Sequence, residues 1–218
     1  MYKNYVKRWL DLILAILGLI IVSPIMLLAS IAIKIDSRGP IIFKQKRLGQ
    51  YGKEFNIYKF RTMCVGAENM GSKQYSFKSD PRITKVGRFL RATSIDELPQ
   101  LFNIIKSEMS LIGFRPPLTY HPFRFEEYTD EQKIMFELKP GITGWAQIHG
   151  RKEVNWDNRI AMNVWYAKNV SLKIDIIIFF TTIWKVILNK DNENTGITVN
   201  VQKQQVSENK KEPEKSKV

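Results

Sequence analysis

The 22 residues from Leu12 to Ile33 carry no charge and consist mostly of Leu, Ile, Val and Ala. A run of that length can span a bilayer core of about 30 Å. Lys3, Lys7 and Arg8 before it resemble the n-region of a signal peptide. The run is long for one, however, and no small-x-small cleavage site ends it before Lys34. A retained anchor is the better reading. Ser23-Pro24 falls mid-run, where proline removes a helix hydrogen bond and favours a kink. Both flanks are basic, with Lys34, Arg38, Lys44, Lys46 and Arg47 following. Cytoplasmic flanks are usually the basic ones. A helix bent at Ser23-Pro24 and returning to the same face satisfies that rule, while a plain bitopic helix with a tolerated proline stays equally open on these facts.

The formal net charge is +13, which suits anionic partners: phosphorylated substrates, an anionic membrane surface or nucleic acid. Nucleic acid fits poorly beside a membrane anchor, because the basic residues are not interleaved with exposed aromatics. Cys64 is the only cysteine, which excludes an internal disulfide, and with only His121 and His149 a structural zinc site is disfavoured. This usage suits a reducing, cytoplasm-facing catalytic domain. The P-loop, dinucleotide-binding, zincin and serine-hydrolase signatures are all absent.

Beyond the anchor, Ile41–Phe43 and Glu54–Phe60 read as strands joined across Gly49-Gln50-Tyr51-Gly52. Residues 64–80 read as a loop or irregular helix, and Val86, Phe89 and Leu90 as a short amphipathic helix carrying Arg88 and Arg91. Trp156–Lys168 reads as a helix. The apolar stretch Ile174–Leu188 includes Trp184 and Lys185 and suits either the membrane interface or a buried core helix. The polar segment Gln202–Val218 has the composition of disorder.

Asp96-Glu97 is an acidic pair set among Arg82, Lys85, Arg88, Arg91 and Arg115. Basic groups at this density suit phosphate, and a carboxylate among them would be ionised, a nucleophile toward phosphorus. Ser94-Ile95-Asp96-Glu97 also fits a capping box with Ser94 as N-cap, although Pro99 complicates the register. Capping and catalysis both stay open from spacing, and a helix N-terminus is itself an anion site.

Ordered along the chain are Lys7-Arg8-x-x-Asp11, Ser23-Pro24, Lys59-Phe60-Arg61-Thr62-Met63 and Asp80-Pro81-Arg82-Ile83-Thr84. Ser94-Ile95-Asp96-Glu97-Leu98-Pro99-Gln100-Leu101, Gly113-x-Arg115-Pro116 and Pro140-Gly141-Ile142-Thr143-Gly144-Trp145-Ala146-Gln147 follow. In this order the chain, from Lys7 to about Leu188, resembles the bacterial sugar transferases, the monotopic phosphoglycosyl transferases, in length the short core-only kind. The resemblance implies transfer of a sugar-1-phosphate from a UDP-sugar to undecaprenyl phosphate, releasing UMP at the cytoplasmic membrane and starting lipid-linked glycan assembly. It implies Asp96 as covalent nucleophile and Glu97 as ligand of Mg²⁺ or helper of the acceptor. Arg88 and Arg115 would hold the diphosphate, Lys59 and Arg61 would add to the nucleotide or phosphate site, and Arg82 counts among the substrate-binding candidates. Membrane lipids are expected partners, nucleic acid is not, and a homodimer is left open.

The expected fold is thus α/β and mostly helical. An anchor (residues 1–36, with Lys7, Arg8, Ser23 and Pro24) re-enters the membrane and breaks at Ser23-Pro24. A catalytic domain (37–190) follows, with a β-hairpin and interfacial helices, and then a polar tail (191–218). Two departures from the family pattern stand out. Phe114 replaces a proline, which should loosen its loop, and Asn163 replaces a common acid. A membrane-anchored basic adaptor without chemistry is the competing class, motivated by charge alone.

Overall fold

The computed structural model describes residues 2–70, 80–150 and 155–188, so the tail lies outside the described residues. After a π-helical turn at Tyr2–Val6, α1 runs over Lys7–Asp36 as one helix of 30 residues, long and apolar enough to cross a membrane. The expected break at Ser23-Pro24 is not an interruption, since Pro24 sits inside the helix. Proline cannot donate to the carbonyl four residues back. Ser23 Oγ donates to that Ile20 carbonyl instead, at 2.9 Å. The serine thus repairs the defect that the proline makes.

One face of α1 packs along its length. Ala15, Leu19 and Val22 join a cluster with Ile57, Leu101 and Ile104, while Met26, Ala29 and Ile33 join one with Phe60 and Leu90. The alternating spacing of four and three is a continuous seam for a helix. Leu14, Leu17, Ile21, Leu28, Ile31 and Ile35 stay exposed on the other side.

Strands β1 (Ile42–Leu48) and β2 (Glu54–Phe60) form an antiparallel hairpin with Lys44 opposite Tyr58 and Leu48 opposite Glu54. β1 extends further than its apolar start suggested, because Lys44 and Lys46 take the exposed positions of an alternating strand. Helices α2 (Lys85–Ala92) and α3 (Gln100–Ile105) follow, then β3 (Ser110–Ile112). After α4 (Asp130–Lys133), β4 (Gly141–Thr143) pairs parallel with β3. The chain continues through α5 (Trp145–Ile148), α6 (Trp156–Lys168) and α7 (Leu172–Ile187). α7 buries one side and exposes the other: Ile178 is fully buried, whereas Ile176, Phe180 and Trp184 are exposed.

β3 and β4 meet almost backbone to backbone, which explains the Pro-Gly and Gly punctuation. A Cβ on Gly141 would fall 2.1 Å from the Gly113 nitrogen, and one on Gly144 would fall 1.9 Å from the Gly113 carbonyl. Phe114 follows at once and does not loosen the loop as its proline replacement led us to expect. Its ring is buried edge-on to Phe136 at 5.0 Å, and its carbonyl accepts from Gly141 N at 2.9 Å. Packing supplies the rigidity that the absent proline would have given.

Polar clamps fasten both ends of α1 to this one body. Lys7 Nζ donates 2.6 Å to buried Asp175 of α7, which also accepts from Tyr2 at 2.6 Å. Arg8 donates 2.8 Å to the Ile104 carbonyl at the end of α3. Asp11 accepts from Ser110 Oγ at 2.6 Å and Leu111 N at 3.1 Å. At the far end, Asp36 accepts from Val86 N of α2 at 3.0 Å. Truncating one member of a buried pair strands the other charge, at a cost of about 3–5 kcal/mol. Asp175→Ala should therefore lower the thermal midpoint of the purified protein by many degrees. Lys7→Met with Asp175→Leu should recover only the charge part of that loss, because the hydroxyls of Tyr2 and Tyr166 also donate to Asp175; a midpoint no higher than that of the single variant would show that the stranded charge is not what the single variant costs.

Candidate active site

Asp96 and Glu97 lie on a short 3₁₀ turn, Ile95–Glu97, between α2 and α3. The capping-box expectation fails there. Ser94 adopts a left-handed backbone (φ 58°) and its side chain makes no capping bond. Pro99 then starts α3 one turn later than a box would require. The pair is thus held on a tight turn, not in the first turn of a long helix, and no helix N-terminus explains its acidity.

The two carboxylates differ in their partners. Glu97 Oε1 accepts from Lys59 Nζ at 2.7 Å and lies 3.5 Å from an Arg115 amine. Asp96 is half-buried and accepts no hydrogen bond from the described residues. Burial pushes its carboxyl pKa above the usual 3.8; Lys59 pulls it down, Glu97 pushes it up, and Arg91 and Arg115 pull it down. The net direction is upward, although the sequence predicted an acid held ionised by its cations. A more basic carboxylate is a stronger nucleophile once ionised.

The predicted cations separate into those at the pair and those occupied elsewhere. Lys59, from β2, and Arg115, from the loop after β3, are at the pair. Arg61 is not. Its guanidinium is buried and donates to the Ser37 and Arg38 carbonyls at 2.7 and 2.9 Å and to Ser37 Oγ at 2.8 Å, closing the C-terminal end of α1. Gly39, at φ +124°, leaves the space: a Cβ there would sit 2.1 Å from Arg61 Nη1. Arg82 is buried in a forked pair with Asp80, with Nε 2.9 Å from Oδ1 and Nη2 2.7 Å from Oδ2. It also donates to the Ala67 and Met70 carbonyls, at 2.9 and 2.8 Å. Arg88 is exposed on α2, with no side-chain hydrogen bond or ion pair to the described residues.

Three further arginines bear on the site: the sequence named Arg91 beside the pair and Arg47 among the basic flanks without giving either a site role, and it passed over Arg159. Arg91 donates 2.8 Å to Thr62 and is among the charges that Asp96 feels. Arg47 of β1 and Arg159 of α6 have guanidinium pKa values pushed down to about 10, by burial first and then by the charge of Arg115. Arg159 is three residues after Trp156, and that helical spacing was the available signal; nothing local marked Arg47. Among the described residues no group of three His, Cys, Asp or Glu side chains could hold a metal alone. Magnesium is commonly held by one or two carboxylates with substrate phosphates completing its shell, and Asp96-Glu97 offers that donor set.

Residues 2–189 match the bacterial sugar transferase family, and the chain belongs to it. It is 40% identical over 203 residues to the undecaprenyl-phosphate galactose phosphotransferase of Salmonella typhimurium, covering 87% of this chain and 42% of that protein. It is 40% identical over 193 residues to the UDP-glucose:undecaprenyl-phosphate glucose-1-phosphate transferase of Escherichia coli, covering 86% and 41%. Against the uncharacterized sugar transferase EpsL of Bacillus subtilis it is 41% identical over 191 residues, covering 87% and 91%. The chain thus spans about two fifths of the length of the first two relatives. The resemblance drawn from the ordered motifs holds.

The electrostatics of the pair can be read by carboxyl titration. In protein labelled with ¹³C at the aspartate carboxyls, Asp96 should titrate above an ordinary aspartate. Glu97→Gln removes a like charge and should move that midpoint down; Lys59→Met removes a cation and should move it up. Opposite signs would contradict this arrangement.

Proposed function

We propose that this protein transfers a sugar-1-phosphate from a UDP-sugar to undecaprenyl phosphate through an aspartyl-phosphosugar intermediate. The observation that carries this reading is the asymmetry of the acidic pair: Glu97 is engaged by Lys59 and Arg115, while Asp96, beside the same cations, stays open to attack.

The Asp96 carboxylate attacks the phosphorus that bears the sugar. The bond from that phosphorus to the nucleotide's phosphate oxygen breaks, and UMP leaves with the electron pair. A phosphate oxygen of undecaprenyl phosphate then attacks the same phosphorus. The Asp96–phosphorus bond breaks, and the carboxylate returns as the polyprenyl diphosphate sugar departs. One phosphoanhydride replaces another, so the protein mainly positions groups and screens charge. Lys59 and Arg115 hold Glu97 in place and set a positive field over the oxygens of the donor. Mg²⁺, bound through Glu97 with Asp96 beside it, would supply further neutralisation of the diphosphate. A covalent intermediate lets a water-soluble donor and a lipid acceptor use one site in turn.

α1 supports a reading of the membrane placement. Its two ends and its packed face are bonded to one body, so a bitopic crossing would have to carry polar clamps through the bilayer. This supports an anchor that enters and leaves on the cytoplasmic face, with the exposed apolar sides of α1 and α7 in lipid.

Incubation with the cognate UDP-sugar and no lipid should release about one equivalent of UMP per active site, as expected for a covalent intermediate. Asp96→Asn should abolish that burst; transfer by this variant at the wild-type rate would sink the role of Asp96. A cysteine placed at residue 3 should resist impermeant reagents added outside intact cells. Labelling from outside would rule out the re-entrant anchor.

A further inference from the structure

Asn103 lies on α3 and is fully buried, although its side chain is polar. Its amide does what a neighbouring strand would do. Oδ1 accepts from Tyr58 N at 3.0 Å, and Nδ2 donates to the Asn56 carbonyl at 2.8 Å. Residues 56 and 58 have the spacing at which one edge of a strand offers its polar groups. β1 occupies the opposite edge. The side chain thus stands in for one peptide of a third strand on β2, immediately before Lys59. Nδ2 also donates to Glu108 Oε2 at 2.6 Å, so both of its hydrogens are used.

The main chain of the same residue closes a second junction. Its carbonyl accepts from Glu108 N at 2.9 Å and Met109 N at 3.2 Å, and Ser110 then opens β3, which leads to Arg115. On the other side, Leu98 N donates to the Ile95 carbonyl and Leu101 N to the Leu98 carbonyl, each at 3.1 Å. These bonds join α3 to the turn that carries the acidic pair. Three segments therefore meet at Glu97: β2 through Lys59 at 2.7 Å, the Arg115 loop at 3.5 Å, and the turn itself. Asn103 is bonded to the first, leads into the second and is continuous with the third.

We propose that Asn103 is a positioning residue for the acidic pair, fixing β2 against α3 so that Lys59 is held on Glu97. Its kinetic consequence rests on the transfer reading above. A leucine here would leave Tyr58 N and the Asn56 carbonyl unpaired, and β2 would shift to regain partners. A displacement of about 1 Å in a positioning group can cost about a hundredfold in rate. Substituting the side chain leaves the main-chain bonds in place, so its effect should run through β2 and Lys59.

A double-mutant cycle between Asn103 and Lys59 tests this. In protein labelled with ¹³C at the aspartate carboxyls, Asn103→Leu should raise the Asp96 titration midpoint, as Lys59→Met does, because the same cation is drawn off. In a Lys59→Met background it should add nothing further, since changes along one chain of contacts do not add. UMP release from the cognate UDP-sugar should slow about tenfold to a hundredfold in Asn103→Leu, and no further in the double variant. Asn103→Ser cannot span both β2 bonds; it should show the same coupling more weakly, and it carries the test should the leucine variant not fold. Ile178→Ala, which empties a buried site on α7, should keep the wild-type midpoint and rate; an equal shift there would reduce the effect to stability and overturn the proposal. So would fully additive effects, or an unmoved Asp96 midpoint in a folded Asn103 variant. Coupled titrations in a protein that releases no UMP from any UDP-sugar would support the positioning role and sink the transfer reaction. Release of UMP with additive effects of Asn103 and Lys59 would do the reverse.

Discussion

The rest of the structure depends on fastening a helix with an uncharged middle, at both of its ends, to one polar body. An apolar helix of 30 residues would reach about 45 Å if straight, the full thickness of a membrane. Lys7, Arg8 and Asp11 at one end, and Asp36 and the Arg61 partners at the other, are satisfied by the same domain. Those bonds fall on the elements that frame the acidic pair. Arg8 closes α3, which follows Asp96-Glu97, and Asp36 accepts from the first turn of α2, which precedes it. Asp11 holds β3, which leads directly to Arg115. Anchor and site are therefore one mechanical unit, and a membrane that fixes α1 also fixes the height of Asp96.

Within that frame the site is a contest between burial and charge. Cations from β1, β2, α2 and the Arg115 loop act on two adjacent carboxylates. One carboxylate is consumed in ordering them: Glu97 ties Lys59 to Arg115 across the turn. The other accepts no hydrogen bond from the described residues and is half out of water, and this outweighs the cations nearby. Had Asp96 been paired as closely as Glu97, its anion would be stabilised and correspondingly inert. The left-handed Ser94 and the 3₁₀ turn matter because they give adjacent residues different surroundings, which neighbours in a regular strand or helix rarely have.

Much of this was legible in the sequence. The uncharged run announced α1, Glu54–Phe60 read as the strand β2 and Trp156–Lys168 as the helix α6, while the apolar stretch of α7 left an interfacial and a core helix both open. The ordered motifs announced the family and pointed to Asp96-Glu97. The arginines were not legible, since their roles are assigned by partners that local spacing does not specify. Arg61 finds its carbonyls at Ser37 and Arg38, and Arg47 finds Pro116; neither partner is near in sequence. Arg82 and Asp80 are two residues apart, so their pairing could have been read locally and Arg82 set aside. The Ser94 box misled because its pattern ignores backbone conformation, and Pro99 delays the helix it was meant to start.

The two departures from the family pattern show why a substitution has to be judged in place. Replacing a loop proline by Phe114 removes a restraint on the unfolded chain but adds a ring that docks on Phe136, so the backbone leading to Arg115 stays fixed by burial instead of by covalent geometry. Asn163 is the harder case. It is buried on α6, one helical turn after Arg159, and its Oδ1 has no partner among the described residues. An acid at that position would lie at the helical spacing that favours pairing with the guanidinium. The amide carries no charge, so residue 163 offers no ion pair of its own, and it sits buried beside Ile160 and Val164 on the core face of α6.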